Sequence, residues 1–208
     1  MIVAENIEAY SEAHTSPPPE HLRALADETR ATLDSPQMLT GAVEGRFLET
    51  LVWIAQPRLV VELGTYSGYS AQFMARALPP GGRVITCELS PERAAFAQER
   101  LREDGVEIRL GPGLDTLATI DEPVDLAFID ADKDGYLGYW REVVPRVRPG
   151  GLIMVDNTFS HGRVIDAGND NPLVIAVRDF NDLAAADDRV DLVMVPIGDG
   201  LTLARKRD

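Results

Sequence analysis

The sequence predicts an α/β fold: a doubly wound, seven-stranded and mostly parallel sheet with helices on both faces and an antiparallel strand from a C-terminal hairpin. Between residues 58 and 185, short runs rich in β-branched residues alternate with helical patterns. Such alternation is typical of a parallel sheet with right-handed crossovers. The last stretch, "RVDLVMVPIGDGLTLARK", contains two strand patterns joined by a tight Gly-Asp-Gly turn, which predicts the hairpin.

The segment before the first strand is predicted to be helical. Residues 21–33 follow the segment "TSPPPE" and are periodic enough to form an amphipathic helix. Residues 42–55 carry an apolar face that includes Leu48 and Leu51, and Pro57 closes this helix.

The remaining strands and helices alternate along the chain. Strands are predicted at 58–63, 83–88, 106–110, 124–130 and 151–156. Helices are predicted at 69–78, 91–104, 113–120, 134–147 and 172–185. The helix at 91–104 has a proline in its first turn, where proline is well tolerated, and the strand at 124–130 is apolar enough to be buried on both faces. No repeat or linker indicates a second domain, so residues 1–208 are expected to form one domain.

The composition is that of a globular protein with an acidic surface. Of the 208 residues, 45% are hydrophobic and 26% are charged, and the net charge is −14. This charge argues against a surface for nucleic acid, which usually needs a basic stripe. The lone Cys87 excludes an internal disulfide and fits a reducing compartment. No signal peptide and no membrane-spanning stretch is recognisable, so the predicted location is the cytoplasm.

A loop with two glycines, "VVELGTYSGYS" at 60–70, joins the first strand to its helix. Tyr66 stands where the NAD fingerprint G-x-G-x-x-G, begun at Gly64, would have its second glycine. Glu62 would repel a pyrophosphate and suits a cationic or hydrogen-bond-donating group. Glu88, 26 positions later, ends the second strand, where nucleotide-binding folds place a carboxylate for ribose hydroxyls. Together these features indicate S-adenosylmethionine (SAM), a nucleoside that carries an amino acid; the alternative is that both acids are exposed loop residues.

Two later strands end in oxygen-bearing side chains that predict a metal site. Asp130 ends the strand "VDLAFID", and Asp156 and Asn157 end the strand "GLIMVDN". If these strands are neighbours, their ends lie about 5 Å apart, and two carboxylates that close repel each other unless a cation lies between them. Such an all-oxygen set suits Mg²⁺ or another hard cation such as Mn²⁺ or Ca²⁺. The alternative is that these residues open loops or cap helices.

Lys133, in the motif "DADKDG", follows Asp130 by three positions and stands out in this chain. Only it and Lys206 are lysines among the 20 basic residues. Arginine cannot act as a base in proteins, whereas the pKa of lysine shifts readily on burial or beside another cation. We therefore expect Lys133 to accept a proton from a bound hydroxyl group; the alternative is a solvated surface lysine.

With these motifs assembled, the chain resembles the class I SAM-dependent O-methyltransferases. It is most similar to their metal-dependent caffeoyl-CoA and catechol O-methyltransferase group, from about residue 36 to residue 205. The motifs that carry the resemblance are "ELGTYSGYS", "DLAFIDADKDGYLGYW", "RPGGLIMVDNT" and "DFNDLAAADDRVDLVMVPIGDGLTL". The resemblance implies a Rossmann-like sheet and a SAM cofactor.

The resemblance also implies roles for individual residues. Glu62 and Gly64 would contact the amino acid part of SAM, Ser70 its carboxylate and Glu88 its ribose, and Gly113 would border the adenine without a side-chain contact. The implied cofactor-binding residues are Thr40, Glu62, Gly64, Tyr66, Ser70, Glu88, Gly113 and Asp130. The implied metal ligands are Asp130, Asp156 and Asn157. The implied catalytic residues are Lys133, as the general base, and Asp130.

The activity that follows is methylation of one hydroxyl of a catechol or another vicinal dihydroxy aromatic small molecule. A hydroxyl of this acceptor would lose its proton to Lys133 and attack the methyl group of SAM. The chain departs from the plant enzymes at "DNTFSHG", where Ser160 and His161 stand near the place of a frequent tryptophan, so acceptor specificity does not transfer. The resemblance further implies a homodimer, with residues 1–56 forming part of the acceptor pocket and dimer contacts.

Two other functions stay open at this point. One is an O-methyltransferase that acts on a hydroxylated tRNA nucleoside, which the acidic charge disfavours. The other is a protein that binds SAM without chemistry. The combination of two acids, an amide and a lysine argues against it, because cofactor binding alone needs none of these four residues.

Overall fold

The structure, a computed structural model, describes residues 2–208, so Met1 of the predicted domain lies outside the described residues. Seven β-strands occur in the described part: β1 Leu59–Leu63, β2 Arg83–Glu88, β3 Val106–Leu110, β4 Val124–Ile129, β5 Val147–Val155, β6 Val190–Val195 and β7 Leu201–Lys206. The α-helices described there are α1 Glu5–Ala13, α2 Glu20–Thr32, α3 Ala42–Ala55, α4 Tyr69–Ala75, α5 Pro91–Arg100, α6 Gly113–Ala118, α7 Tyr136–Arg146 and α8 Pro172–Ala185. Short 3-10 helices span Pro36–Met38, Lys133–Gly135 and Ser160–Ile165.

All these strands belong to one sheet with the order β3-β2-β1-β4-β5-β7-β6. Strands β1 to β5 pair in parallel, whereas β7 is antiparallel to both β5 and β6. The predicted fold class is therefore confirmed, including the antiparallel strand of the hairpin. The chain runs outward from β1 to β3 and then returns to place β4 on the other side of β1. Such a switch in strand order leaves a crevice at the carboxyl ends of β1 and β4, where ligands bind in folds of this kind.

The apolar core lies on both faces of the sheet, because successive residues of a strand point to opposite faces. On one face, Val61 of β1 belongs to a buried cluster with Trp140 of α7 and Phe180 of α8. On the other face, the adjacent Val60 belongs to a cluster with Met74 of α4. The helices thus cover both faces of the sheet, as the sequence predicts.

Two helices end three or four residues earlier than predicted: the one at 69–78 ends at Ala75, and the one at 91–104 ends at Arg100. After the first, the N–H groups of Ala77 and Leu78 donate to carbonyls only three residues back, so the chain tightens into turns before two prolines. After the second, the N–H of Arg102 donates to the side chain of Gln72 at 2.8 Å instead of continuing the helix. The second difference arises from a contact between residues 30 positions apart, which a local pattern does not contain.

Strand β5 begins earlier than the predicted start at residue 151. It starts at Val147, which pairs with Val124, and the register then shifts before Leu126 pairs with Leu152. This irregularity accommodates the segment "RPGG" within the strand. Within residues 2–208, no helix has the length and apolar character needed to cross a membrane.

We expect the substitution Phe180→Ala to destabilise the fold by about 3–5 kcal/mol, because it removes a fully buried aromatic side chain. The ring of Phe180 contacts the edges of two other buried rings, with centroids 5.4 Å from Tyr136 and 5.6 Å from Trp140. Urea unfolding measures this loss. Ile175→Ala, on the same helix but 41% exposed, should cost about 1 kcal/mol or less. Equal effects of the two substitutions would contradict the described packing of α8.

Candidate functional site

A cavity of about 1160 Å³ lies at the carboxyl ends of β1, β2, β4 and β5. This volume exceeds the usual range of about 300–1,000 Å³ for the pocket of one small ligand, so there is room for two molecules side by side. Most of the predicted site residues line it: Thr40, Gly64, Tyr66, Ser70, Glu88, Gly113, Asp130, Lys133, Asp156 and Asn157. Glu62 is the exception, because it lies fully buried behind the wall.

Gly64 marks the closest approach between two loops of the site. Its φ of +104° suits glycine, and a Cβ atom at this position would lie 2.0 Å from the carbonyl oxygen of Asp130. The N–H of Asp130 in turn donates to the carbonyl of Leu63 at 2.9 Å. The turn after β1 is therefore packed directly on the turn after β4.

Glu62 is a buried carboxyl with one oxygen available for a partner. Its Oε1 accepts the hydroxyl of Ser70 at 2.6 Å, whereas Oε2 is buried without a hydrogen-bond partner among the described residues. Burial raises the pKa of this carboxyl to about 8, and the hydrogen bond from Ser70 opposes the shift. A buried acceptor of this kind favours a ligand that brings a hydrogen-bond donor or a positive charge.

Glu88, at the end of β2, has both carboxylate oxygens bound to backbone amides. Oε2 accepts the N–H of Tyr66 at 2.8 Å, and Oε1 accepts the N–H of Ser90 at 2.9 Å. These bonds fix the carboxylate at the cavity wall and hold Tyr66 in a left-handed conformation with φ of +49°. Each oxygen keeps a second lone pair for a ligand hydroxyl.

Gly113 lies at the beginning of α6, against the floor of the same cavity. A Cβ atom there would come within 3.3 Å of the side chains of Leu63 and Tyr139. The position therefore accommodates only a small residue. Thr40, on the opposite side, precedes α3 and lines the cavity.

Asp130 and Asp156 meet because their strands are neighbours. Ile129 of β4 pairs with Val155 of β5, so the following residues project from adjacent strand ends. Asp156 is buried, and burial raises the pKa of its carboxyl to about 7, with the Asp130 carboxylate acting in the same direction. The side chain of Asp130 remains partly exposed to the cavity.

Lys133 places its ammonium group among these oxygen atoms. Nζ lies 3.6 Å from Oδ1 of Asp130, and it donates to Oδ1 of Asn157 and, at 2.7 Å, to the hydroxyl of Tyr136. The lysine begins the 3-10 turn Lys133–Gly135, which is why it turns back toward the strand end. The predicted metal ligands and the predicted base are thus brought together.

The donor set of Asp130, Asp156 and Asn157 fits a hard divalent cation. Its donor atoms are all oxygens, and two of its three groups are carboxylates. The ammonium group of Lys133 already contacts two of the three residues, Asp130 and Asn157. Within residues 2–208, no three His, Cys, Asp or Glu side chains are arranged as a metal centre, so the set depends on the amide of Asn157 as its third member.

Two residues at this site were missed by the sequence analysis. Glu44, from α3, is buried and lines the same cavity; burial first, and the charges of Asp156 and Asp130 next, raise the pKa of its carboxyl well above the usual range. One signal was available, because Glu44 precedes Leu48 by one helical turn and so lies on the apolar face of its helix.

The other missed residue is Tyr136, whose hydroxyl accepts from Lys133. This hydroxyl also donates to the backbone carbonyl of Asp156 at 2.9 Å, and the ring is fully buried. In the sequence, the one indication that Tyr136 could contact Lys133 was the spacing of three residues between them. Asp132, which also belongs to the motif "DADKDG", accepts a hydrogen bond from the hydroxyl of Tyr139 at 2.5 Å.

Comparisons with known proteins give matches over most of the chain. Residues 12–207 match the sequence model of the family described as O-methyltransferase. A catechol O-methyltransferase of Niastella koreensis is 38% identical over 192 residues, which cover 86% of this chain and 87% of the relative. Caffeoyl-CoA O-methyltransferase 2 of Zea mays is 37% identical over 205 residues, which cover 90% of this chain and 77% of the relative.

A solved structure shows the same likeness in three dimensions. The O-methyltransferase TomG from Streptomyces achromogenes, which is involved in tomaymycin synthesis and was crystallised in complex with SAM, superimposes with a TM-score of 0.89 at 31% identity. The match covers 98% of this chain and 96% of that chain.

We expect Gly64→Ala to lower the free energy of unfolding by about 2 kcal/mol or more, because the new Cβ would collide with the Asp130 carbonyl at an unfavourable φ. Gly41→Ala is a matched control in the wall of the same cavity. Gly41 has φ of −69°, and a Cβ there meets nothing within 4 Å, so the cost should be about 1 kcal/mol or less. Thermal unfolding of both variants measures the difference; a stable Gly64→Ala protein would contradict the close packing of the two turns.

Proposed function

This chain belongs to the O-methyltransferase family, and we propose that it uses SAM and a divalent cation to methylate one hydroxyl of a catechol or another vicinal dihydroxy aromatic. One observation carries the proposal above all. The carboxylates of Asp130 and Asp156, the amide of Asn157 and the amine of Lys133 converge on one wall of a cavity that has room for a second molecule beside a cofactor.

The proposed cofactor region is formed by the turns after β1 and β2. The unpartnered oxygen of Glu62 supports the binding of an amino group nearby, and the carboxylate of Glu88 supports contacts with ribose hydroxyls. Thr40, Tyr66, Ser70 and Gly113 would complete this region, since all four line the cavity. The TomG relative, solved with SAM, supports this choice of cofactor.

The proposed metal ligands are Asp130, Asp156 and Asn157. A divalent cation held by them supplies positive charge that lowers the pKa of an acceptor hydroxyl. The protein's part is to keep the two carboxylates oriented, and the pairing of β4 with β5 fixes the spacing of the strand ends that carry them. Mg²⁺ is the ion we propose, with Mn²⁺ and Ca²⁺ as chemically similar substitutes.

Lys133 is proposed as the general base. Tyr136 and Asn157 orient its Nζ atom, and Asp130 lies close enough to balance its charge when it is protonated. A cation bound beside it would favour the neutral amine, which can then accept a proton from the hydroxyl of the acceptor. The methyl group is already activated in SAM, so orientation of the two reactants supplies much of the remaining acceleration.

The N-terminal segment is proposed to form the wall on the acceptor side. Ile7, Glu8 and Met38 line the cavity from α1 and from the 3-10 turn before α3. The expected homodimer stays a prediction. The exposed side chains of Trp53 and Ile54 on α3 offer apolar surface for such a contact.

Lys133→Ala should lower kcat for a test catechol by about 10²–10⁴-fold while SAM binding stays nearly unchanged, because the base is lost and the cofactor contacts are not. Lys133→Arg should be almost as inactive, since it keeps the charge but cannot accept the proton. Lys206→Ala, which removes the other lysine of the chain, is the control. Transfer of labelled methyl from SAM measures all three; a Lys133→Arg enzyme with full activity would exclude the base role.

Removal of divalent cations should abolish methylation of dihydroxy aromatics, and added Mg²⁺ should restore it. The reason is that Asp130 and Asp156 need a cation between them to present the acceptor. EDTA followed by gel filtration gives the metal-free protein, and EDTA already saturated with Mg²⁺ serves as the control for the chelator itself. Full turnover by the metal-free protein would refute metal dependence.

A further inference from the structure

We propose that Asp199, in the turn between β6 and β7, is a positioning residue for the acceptor. It holds residues 158–163, here called the acceptor loop, in the shape that decides which way round a substituted dihydroxy aromatic lies in the cavity. The inference rests on the proposed function, because it presupposes an acceptor bound beside Asn157, the residue that directly precedes this loop.

The acceptor loop has an uncommon backbone conformation at its centre. Ser160 and His161 have φ of +47° and +56°, and Gly162 continues this left-handed run with φ of +77°. Such angles are easy for glycine, whereas serine and histidine keep them only where surrounding contacts hold the chain in place. The same part of the chain forms cavity wall, since Ser160, His161 and Arg163 line the cavity. The shape of this wall therefore depends on whatever maintains the left-handed residues.

The turn between β6 and β7 fixes the beginning of the acceptor loop through backbone bonds. The N–H of Thr158 donates to the carbonyl of Gly200 at 2.9 Å, and the N–H of Phe159 donates to the carbonyl of Asp199 at 3.0 Å. The ring of Phe159 lies against Gly200, where a Cβ atom would come within 1.8 Å of it. The loop and the turn are therefore in direct contact.

The side chain of Asp199 extends this contact to the left-handed residues. Its Oδ1 accepts the N–H of His161 at 2.5 Å, and its Oδ2 lies 3.4 Å from Nδ1 of the same residue. The Asp199 side chain is only 10% exposed, so the bond is largely shielded from water. A hydrogen bond from a backbone N–H to a carboxylate is roughly twice as strong as one between neutral groups. Loss of this carboxylate would remove a restraint at the residue whose backbone most needs one.

The wall matters because a vicinal diol can be presented in two ways. With both hydroxyls directed at Asp130, Asp156 and Asn157, the ring can be turned over, which exchanges the hydroxyl that meets the methyl group and moves a ring substituent to the other side. A firm wall admits one of these two arrangements, whereas a loosened wall admits both. In unsubstituted catechol the two arrangements are identical. Asp199 should therefore control the product ratio of a substituted acceptor and leave catechol turnover nearly unchanged.

The first test is methylation of 3,4-dihydroxybenzaldehyde and of catechol, with the two monomethylated products of the aldehyde separated by chromatography. The unaltered chain should form one of these products in excess. Asp199→Ala should shift the ratio about tenfold toward an equal mixture, with catechol turnover and the KM for SAM within about twofold of the unaltered values. Asp199→Ser, whose hydroxyl is too short to reach the same N–H, should act alike and guards against a folding defect of the alanine variant.

Two further variants separate the hydrogen bond from general effects on the hairpin. Asp199→Asn keeps a side-chain oxygen that can accept the N–H of His161, so its product ratio should stay close to that of the unaltered chain. Asp191→Ala is the matched control, because Asp191 lies on β6 of the same hairpin and pairs with Arg207 at 2.8 Å on the exposed surface. It should leave the product ratio unchanged.

Hydrogen exchange of residues 158–163 provides a readout that is independent of activity. The amide of His161 should exchange about tenfold faster in Asp199→Ala than in the unaltered chain. Unchanged exchange would overturn the restraint, and an unchanged product ratio would overturn its effect on the acceptor. An equal product mixture, or no product, from the aldehyde with an unaltered chain that methylates catechol would overturn the inference alone. An equal shift in Asp191→Ala would do the same. If the unaltered chain methylates neither compound, the proposed function fails and the inference fails with it.

Discussion

The concentration of negative charge at the carboxyl edge of the sheet is the constraint on which the rest of the site depends. Parallel pairing of β4 with β5 forces the residues that follow Ile129 and Val155 to be neighbours, and both of those residues are aspartates. Two negatively charged carboxylates on adjacent strand ends, one of them buried, repel each other strongly. In the described structure, the ammonium group of Lys133 balances them by contact with Asp130 and Asn157. A bound divalent cation would balance the negative charge of the two carboxylates more completely.

This constraint also bears on why lysine occupies position 133 in a chain with eighteen arginines and only one other lysine, Lys206. The guanidinium of arginine presents five donors in a rigid plane and keeps its proton in proteins. The short 3-10 turn that begins at Lys133 leaves space for a compact group between the Tyr136 hydroxyl and the Asn157 amide. The proposed base has to be neutral before it can accept a proton, and of these two residue types only lysine can become neutral.

The sequence was sufficient for the parts of the site that depend on local pattern. The mostly parallel sheet is implied by the alternation of strands and helices, and "DADK" and "VDN" indicate Asp130, Lys133 and Asp156 because polar residues after buried strands are conspicuous. Glu44 was not predicted, because its position on the apolar face of its helix, one turn before Leu48, does not by itself show which part of the sheet that face packs against. The burial of Glu62 behind the cavity wall was likewise not visible, since it results from the packing of α4 over β1 and from the bond to Ser70.

Asp130 connects the two halves of the proposed site through different atoms. Its carbonyl oxygen touches the turn at Gly64, whereas its carboxylate faces Lys133. Its own N–H donates to the carbonyl of Leu63, so the hydrogen-bonded pairing between β4 and β1 continues through this residue. A displacement of the turn after β1 would therefore also move a proposed metal ligand. Methyl transfer requires donor and acceptor to be aligned within a fraction of an ångström, and direct backbone contact is a stiffer way to keep two binding regions in register than side-chain contacts would be. In the proposed reaction, the need for glycine at position 64 is thus a requirement of the reaction geometry as well as of the fold.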